Sequence, residues 1–272
     1  MNVPTAWGPD PGRWPLPSAT DPTAKWHRAV ALGGQGRYNA AAAELDALEA
    51  EAGVPVALRS LMASTRASWS RQTGGHAVAA AHDGAALALV GLTADSDSAS
   101  GSDSADVVEA QCDALTGLAA DMLGVGRLAT SDALLTRCGH LLDSGWPPEP
   151  MWRQQLRMQW VRAELAMVSG DGRTALRHAL DARERSTDTI SLRHRVKTEL
   201  ITAAAYCTAG EVGDSRTIAY SVVDVCAEHG LVPLRWAAAM LLNGLGGGTT
   251  ALPIADECAV ILRHRGAVLA GA

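Results

Sequence analysis

The chain has 272 residues, a mass of 28.3 kDa, a formal net charge of −6 and a mean hydropathy of +0.03, and no stretch approaches the roughly 20 uncharged apolar residues that cross a bilayer. Phe is absent, Tyr numbers 3 and Lys occurs only at Lys25 and Lys197, while Ala, Leu and Arg abound. This composition favours helix over strand, so an all-α fold is expected, and it points to a GC-rich bacterial source. Residues 1–150 hold 9 Lys/Arg against 17 Asp/Glu, residues 151–200 hold 10 against 6, and the remainder 4 against 6, a balance that argues against nonspecific nucleic-acid binding.

In chain order, residues 1–23 come first, with Trp7, Trp14 and prolines at 4, 9, 11, 15, 17 and 22. They lack a periodic apolar face and predict an extended arm. No apolar run of signal-peptide length follows the N-terminus, so a cytoplasmic location is expected. Residues 24–93 carry two units of a repeated pattern, and residues 107–272 carry four more followed by a C-terminal capping helix. Between them, residues 94–106 form an acidic, Ser-rich insertion expected to be disordered.

The pattern is an Ala, a Gly seven residues later and a small residue five beyond that: Ala29/Gly36/Ala41, Ala67/Gly74/Ala79, Ala119/Gly126/Ser131, Ala163/Gly170/Ala175, Ala203/Gly210/Ser215 and Ala239/Gly246/Ala251. Seven residues further on stands an apolar residue each time: Leu48, Ala86, Cys138, Ala182, Val222 or Cys258. The Gly marks where a first helix stops and the chain reverses, since Gly enters the left-handed region without steric cost. The small residues mark where two helices cross closely. The clearest unit reads as helices over Leu156–Ser169 and Arg173–Arg183, and the last unit predicts a second helix beginning near Pro253 and running to Arg265. Prolines at Pro55, Pro147-Pro148 and Pro233 stand at unit boundaries.

This order of small residue, Gly turn and small residue resembles the tetratricopeptide repeat family over roughly residues 22–266. The resemblance implies an α-solenoid of about six helix–turn–helix repeats that binds protein segments on its concave groove. The Gly-to-Gly spacings of 38, 52, 44, 40 and 36 exceed that family's repeat of about 34, which predicts longer helices or loops.

Chemistry-bearing motifs are weak. The five cysteines (Cys112, Cys138, Cys207, Cys226, Cys258) are odd in number and widely spaced, as expected of reduced, buried thiols. Cys138/His140 and Cys226/His229 have no second pair of ligands nearby, so no metal is expected. The Gly-rich run 244–250 lacks the Lys and preceding strand of a phosphate loop and reads as an inter-helix turn. No nucleophile elbow or triad spacing occurs. Neither an enzyme nor a cofactor is expected.

Transferred from the repeat family, the groove positions are Trp26, Arg71, Arg157, Trp160, Glu164, Lys197, Trp236, Met240 and Asn243. Aromatic side chains with Arg beside them are the types that dominate binding hot spots. The Asn of a carboxylate-gripping groove is missing, because its position holds His27, Thr65, Gly117, Val161, Ile201 and Ala237. The expected partner is a protein or peptide, with Arg157 and Lys197 favouring an acidic segment, and the arm is expected to occupy its own groove or that of a second copy. The alternative is a sensory domain that binds a small molecule or signalling peptide.

Overall fold

A computed structural model describes residues 5–91, 101–143 and 151–269, apart from the side chains of Thr5 and residues 101–104. After a single 3-10 turn at Thr5–Trp7, the described residues form α1 (Pro22–Gly34), α2 (Tyr38–Glu49), α3 (Val56–Gln72), α4 (His76–Val90), α5 (Gly101–Gly124) and α6 (Leu128–Leu142). The order continues with α7 (Trp152–Val168), α8 (Gly172–Ser186), α9 (Leu192–Thr208), α10 (Val212–Glu228), α11 (Val232–Gly244) and α12 (Gly248–His264). No strand occurs among the described residues, and each helix packs on the next in sequence order.

The repeated columns explain the pairing. Gly36, Gly74, Gly126, Gly170, Gly210 and Gly246 all have φ between 73° and 88°. In every one of these turns the N–H following the Gly donates to the carbonyl five residues earlier: Arg37 to Leu32 at 2.9 Å, Gly75 to Ser70 at 2.8 Å, Arg127 to Met122 at 2.7 Å, and Asp171 to Ala166, Glu211 to Tyr206 and Gly247 to Leu242 at 2.9 Å. This bond satisfies a carbonyl at the helix end and turns the chain back on itself. All twelve small-column residues, from Ala29 and Ala41 to Ala239 and Ala251, are 0 % exposed. The residue seven further on is buried in every pair as well.

First helices of successive pairs also meet one another, α1 with α3, α3 with α5, α5 with α7, α7 with α9 and α9 with α11. That contact gives the first helices a common face. The array does not end freely at α12. Leu262 of α12 is buried in one apolar cluster with Leu32 and Tyr38 of the first pair, and Val232 and Trp236 of α11 pack against the same cluster. Arg265 donates from Nη1 to the Gln35 carbonyl at 2.7 Å, and the Asn39 N–H donates to the Arg265 carbonyl at 3.0 Å. The first and last pairs therefore touch, and the face of the first helices is enclosed.

Two boundaries differ from the sequence expectation. Helix α5 begins at Gly101, inside the segment 94–106 read as a disordered insertion; residues 92–100 lie outside the described residues, as do Pro147 and Pro148. Helix α12 begins at Gly248, and Pro253 sits inside it rather than at its start. The proline lies early in the helix, so the single bond it forfeits falls close to the turn of donors that have no intrahelical partner in any case.

Candidate functional site

The arm lies against the enclosed face. Trp7 meets Trp26 of α1 edge-on with ring centroids 6.1 Å apart, His27 at 5.7 Å and His194 of α9 at 5.3 Å, while the Arg153 guanidinium of α7 lies 5.0 Å from the Trp7 ring centre. Edge-on aromatic pairs and a guanidinium over an indole face are both attractive arrangements of the ring quadrupole. Beyond Trp7, Gly12 lies so close to the His229 carbonyl that a Cβ has no room there. Gln35 donates from Nε2 to the carbonyls of Pro11 at 2.9 Å and Arg13 at 3.0 Å. Arg37 stacks over Trp14 at 3.9 Å, and Arg28 donates to the carbonyls of Leu16 and Pro17. The described part of the arm is not the extended segment the sequence suggested, since it opens with the 3-10 turn that ends at Trp7 and turns again at Asp10–Arg13; it runs from α9 and α7 past the α10–α11 turn to α1, and side chains of the array satisfy backbone carbonyls that it leaves unpaired.

Two ion-pair networks line the first-helix face. Arg71 of α3 holds Asp83 of α4 and Asp121 of α5, the latter at 2.8 Å, and both carboxylates are fully buried. Arg153 pairs with Glu109 at 2.7 Å and with Asp113, and Arg157 pairs with Asp113 from one turn further along α7. Glu164 and Lys197 meet at 3.6 Å. Burial pushes the Asp83 carboxyl up to about 7 against the pull of Arg71, with the neighbouring Asp121 adding to the rise. The imidazoles in this interior are held neutral: burial and the Arg153 charge bring His27 down to about 4, and burial with Arg193, Arg153 and Arg157 lowers His194. Burial, with Arg157 and Arg153 adding repulsion, brings the Arg193 guanidinium down to about 10, against the opposing pull of Tyr38.

The nine groove positions divide. Trp26 and Trp160 are buried, and each indole N–H donates to a threonine of the first helix that follows, Trp26 to Thr65 Oγ1 at 2.9 Å and Trp160 to Thr198 Oγ1 at 3.0 Å. Both tryptophans pack repeat against repeat. Arg71, Arg157, Glu164 and Lys197 are engaged in the ion pairs above, the Glu164–Lys197 pair being the long and partly exposed one. Trp236 is half-buried at the junction of the first and last pairs. Met240 is exposed, and Asn243 lies beside Gly248 at the last turn; the structure does not bring these two to the arm.

The residues that meet the arm include Arg153 and His194, with Trp152 lining the cavity beside Trp7, and the transferred positions omit all three. One signal for part of this set was in the sequence: Glu109 and Asp113 on one first helix and Arg153 and Arg157 on the next, each pair four residues apart and so on one helical face. Trp152 stands edge-on to His194 at 5.0 Å, and Trp160 stacks on the same imidazole at 5.7 Å. Beside Trp7 a cavity of about 250 Å³ remains, walled by Trp7, Trp26, Trp152, Leu58 and Leu61, with His27, Asp106, Glu109 and Arg153 supplying its polar groups.

No group of three or more His, Cys, Asp or Glu among the described residues has metal-binding geometry, and no helix among them is long and apolar enough to cross a membrane. Cys112 and Cys138 are fully buried with the thiol of Cys138 3.4 Å from Thr116 Oγ1. Among known protein families no family model matches the chain, and no curated protein matches it in sequence.

Proposed function

We propose that the chain is a tetratricopeptide-like binding protein without catalytic activity, a solenoid of six repeats whose first-helix face takes up a segment of a partner protein in the cytoplasm. One observation carries this reading: that face already holds an irregular, Pro- and Trp-bearing segment, the chain's own arm, with Trp7 at the end of a 3-10 turn and seated among Trp26, His27, His194 and Arg153. A seat that accepts such a segment in cis has the side chains to accept one in trans, provided the arm gives way. The shared turn geometry and the buried small columns support the repeat reading. Since Arg157 and Lys197 are paired internally, the partner chemistry favoured is a segment presenting an aromatic residue between prolines, ahead of an acidic one.

The test is a labelled peptide of residues 5–17 titrated into the full chain and into its Trp7→Ala variant, by fluorescence anisotropy. The variant loses its anchor but keeps the seat, so it is expected to bind the peptide at least tenfold tighter than wild type. Equal affinity for both chains, or no saturable binding to either, contradicts the proposal. A second reading, a sensory domain for a small molecule, is favoured by the cavity of about 250 Å³ beside Trp7, which is smaller than the roughly 300–1,000 Å³ of sites for drug-sized ligands.

A further inference from the structure

We infer that the cavity beside Trp7 is a binding site for a small organic cation, an ammonium or methylated ammonium carried on a short apolar or aromatic body. The walls are indoles from three separated parts of the chain, Trp7 of the arm, Trp26 of α1 and Trp152 of α7, closed by Leu58 and Leu61 of α3. Indole faces attract cations, the more strongly the less water reaches them. The chain already uses this preference on its own account, for the Arg153 guanidinium lies 5.0 Å from the Trp7 ring centre and 6.0 Å from that of Trp26.

Charge decides the sign of the ligand. Arg153, Arg157, Asp113 and Glu109 form a network of two cations and two anions whose charges sum to zero, although the Arg153 guanidinium is near enough to His27 to help hold it neutral. His27 lines it as the neutral imidazole. The remaining charged group on the lining is Asp106, exposed at the rim and outside every ion pair among the described residues. The site is therefore a partly open cleft with three indoles in its wall, a mixed polar lining and one carboxylate at its mouth outside the ion pairs among the described residues, complementary to a monocation with an apolar body and repellent to a carboxylate or phosphate.

This inference rests on the small-molecule reading and needs the arm in place, since Trp7 is one wall of the site. It is tested on the full chain by calorimetric titration with benzyltrimethylammonium and, at equal ionic strength, with 3-phenylpropionate, repeated on Trp152→Ala and Asp106→Asn. Asp106 is exposed, so its variant keeps the fold, and thermal melting verifies both. The expected result is saturable 1:1 binding of the cation, at least tenfold tighter than the anion, weakened tenfold or more by Trp152→Ala and about threefold by Asp106→Asn. Tighter binding of 3-phenylpropionate overturns the cation assignment while leaving a small-molecule site standing. Saturable binding of neither compound, or cation binding that Asp106→Asn and Trp152→Ala leave unchanged, overturns both.

Discussion

At the scale of single residues, Asp113 organises the interior. It is 3 % exposed and receives two guanidinium groups, Arg153 and Arg157, from one face of α7. Removing one partner of a buried ion pair leaves uncompensated charge, which costs about 3–5 kcal/mol. Asp113→Ala is therefore expected to lower unfolding stability by that amount in urea titration, whereas Asp46→Ala, which removes an exposed partner of Arg66, changes it by about 0–1 kcal/mol. His27 supplies a second expectation. Its unfolded imidazole titrates near 6.5 and its folded one near 4, lowered by burial and by Arg153 with Asp21 pulling the other way. Between those values the unfolded chain binds more protons, so the contribution of His27 is fully present above pH 6.5 and is lost as pH falls toward 4. Compared with His27→Gln, the wild-type chain should lose melting temperature more steeply over this window; parallel curves refute a neutral, buried His27.

At the scale of elements, the six turns and the helix crossings were legible in the sequence because they depend on local requirements. A left-handed residue at a helix end asks for Gly, and a close crossing asks for Ala or Ser, so both leave a mark at fixed spacing. From the sequence, packing is the favoured reading of Trp26, while for Trp160 packing and partner contact stand even, since a tryptophan three residues before a column Ala can serve either. Both indoles do bond to the next first helix, at Thr65 and Thr198, a pairing that no spacing rule encodes. Pro253 misled because proline more often begins a helix than sits within one. The small column also carries its own strain. Ser131 and Ser215 occupy positions where the other pairs have Ala, and both hydroxyls are buried without a hydrogen-bond partner. An unsatisfied buried hydroxyl costs about 1–3 kcal/mol. The Ser131→Ala/Ser215→Ala chain is accordingly expected to melt above wild type by a few degrees, and a lower melting temperature would show that the hydroxyls are satisfied in solution.

At the scale of the whole molecule, the sequence implied a concave groove lined by first helices and left open whether it is a channel or a pocket, and the structure covers that face in two ways. The last pair meets the first through Leu262, Arg265, Gln35 and Asn39, and the arm fills much of what remains. The arm's place was expected from its Pro/Trp composition, but the closure was not readable residue by residue, because it depends on the accumulated rotation of six pairs and on contacts some 230 positions apart. The glycines at the seam are its local trace: the absent Cβ of Gly36 makes room for Leu262, and that of Gly34 for Arg193 of α9. A face so covered can serve a partner only by exchange with the arm, and Trp7 is the residue whose surroundings report that exchange. The most direct measurement is 19F NMR of the full chain labelled with 5-fluorotryptophan, with the Trp7 resonance assigned by Trp7→Tyr. The account predicts a Trp7 signal displaced from the random-coil position by the rings of Trp26, His27 and His194, which moves to that position as excess arm peptide is added. A Trp7 signal at the random-coil position in the free chain, or a displaced signal that excess peptide leaves unmoved, contradicts it.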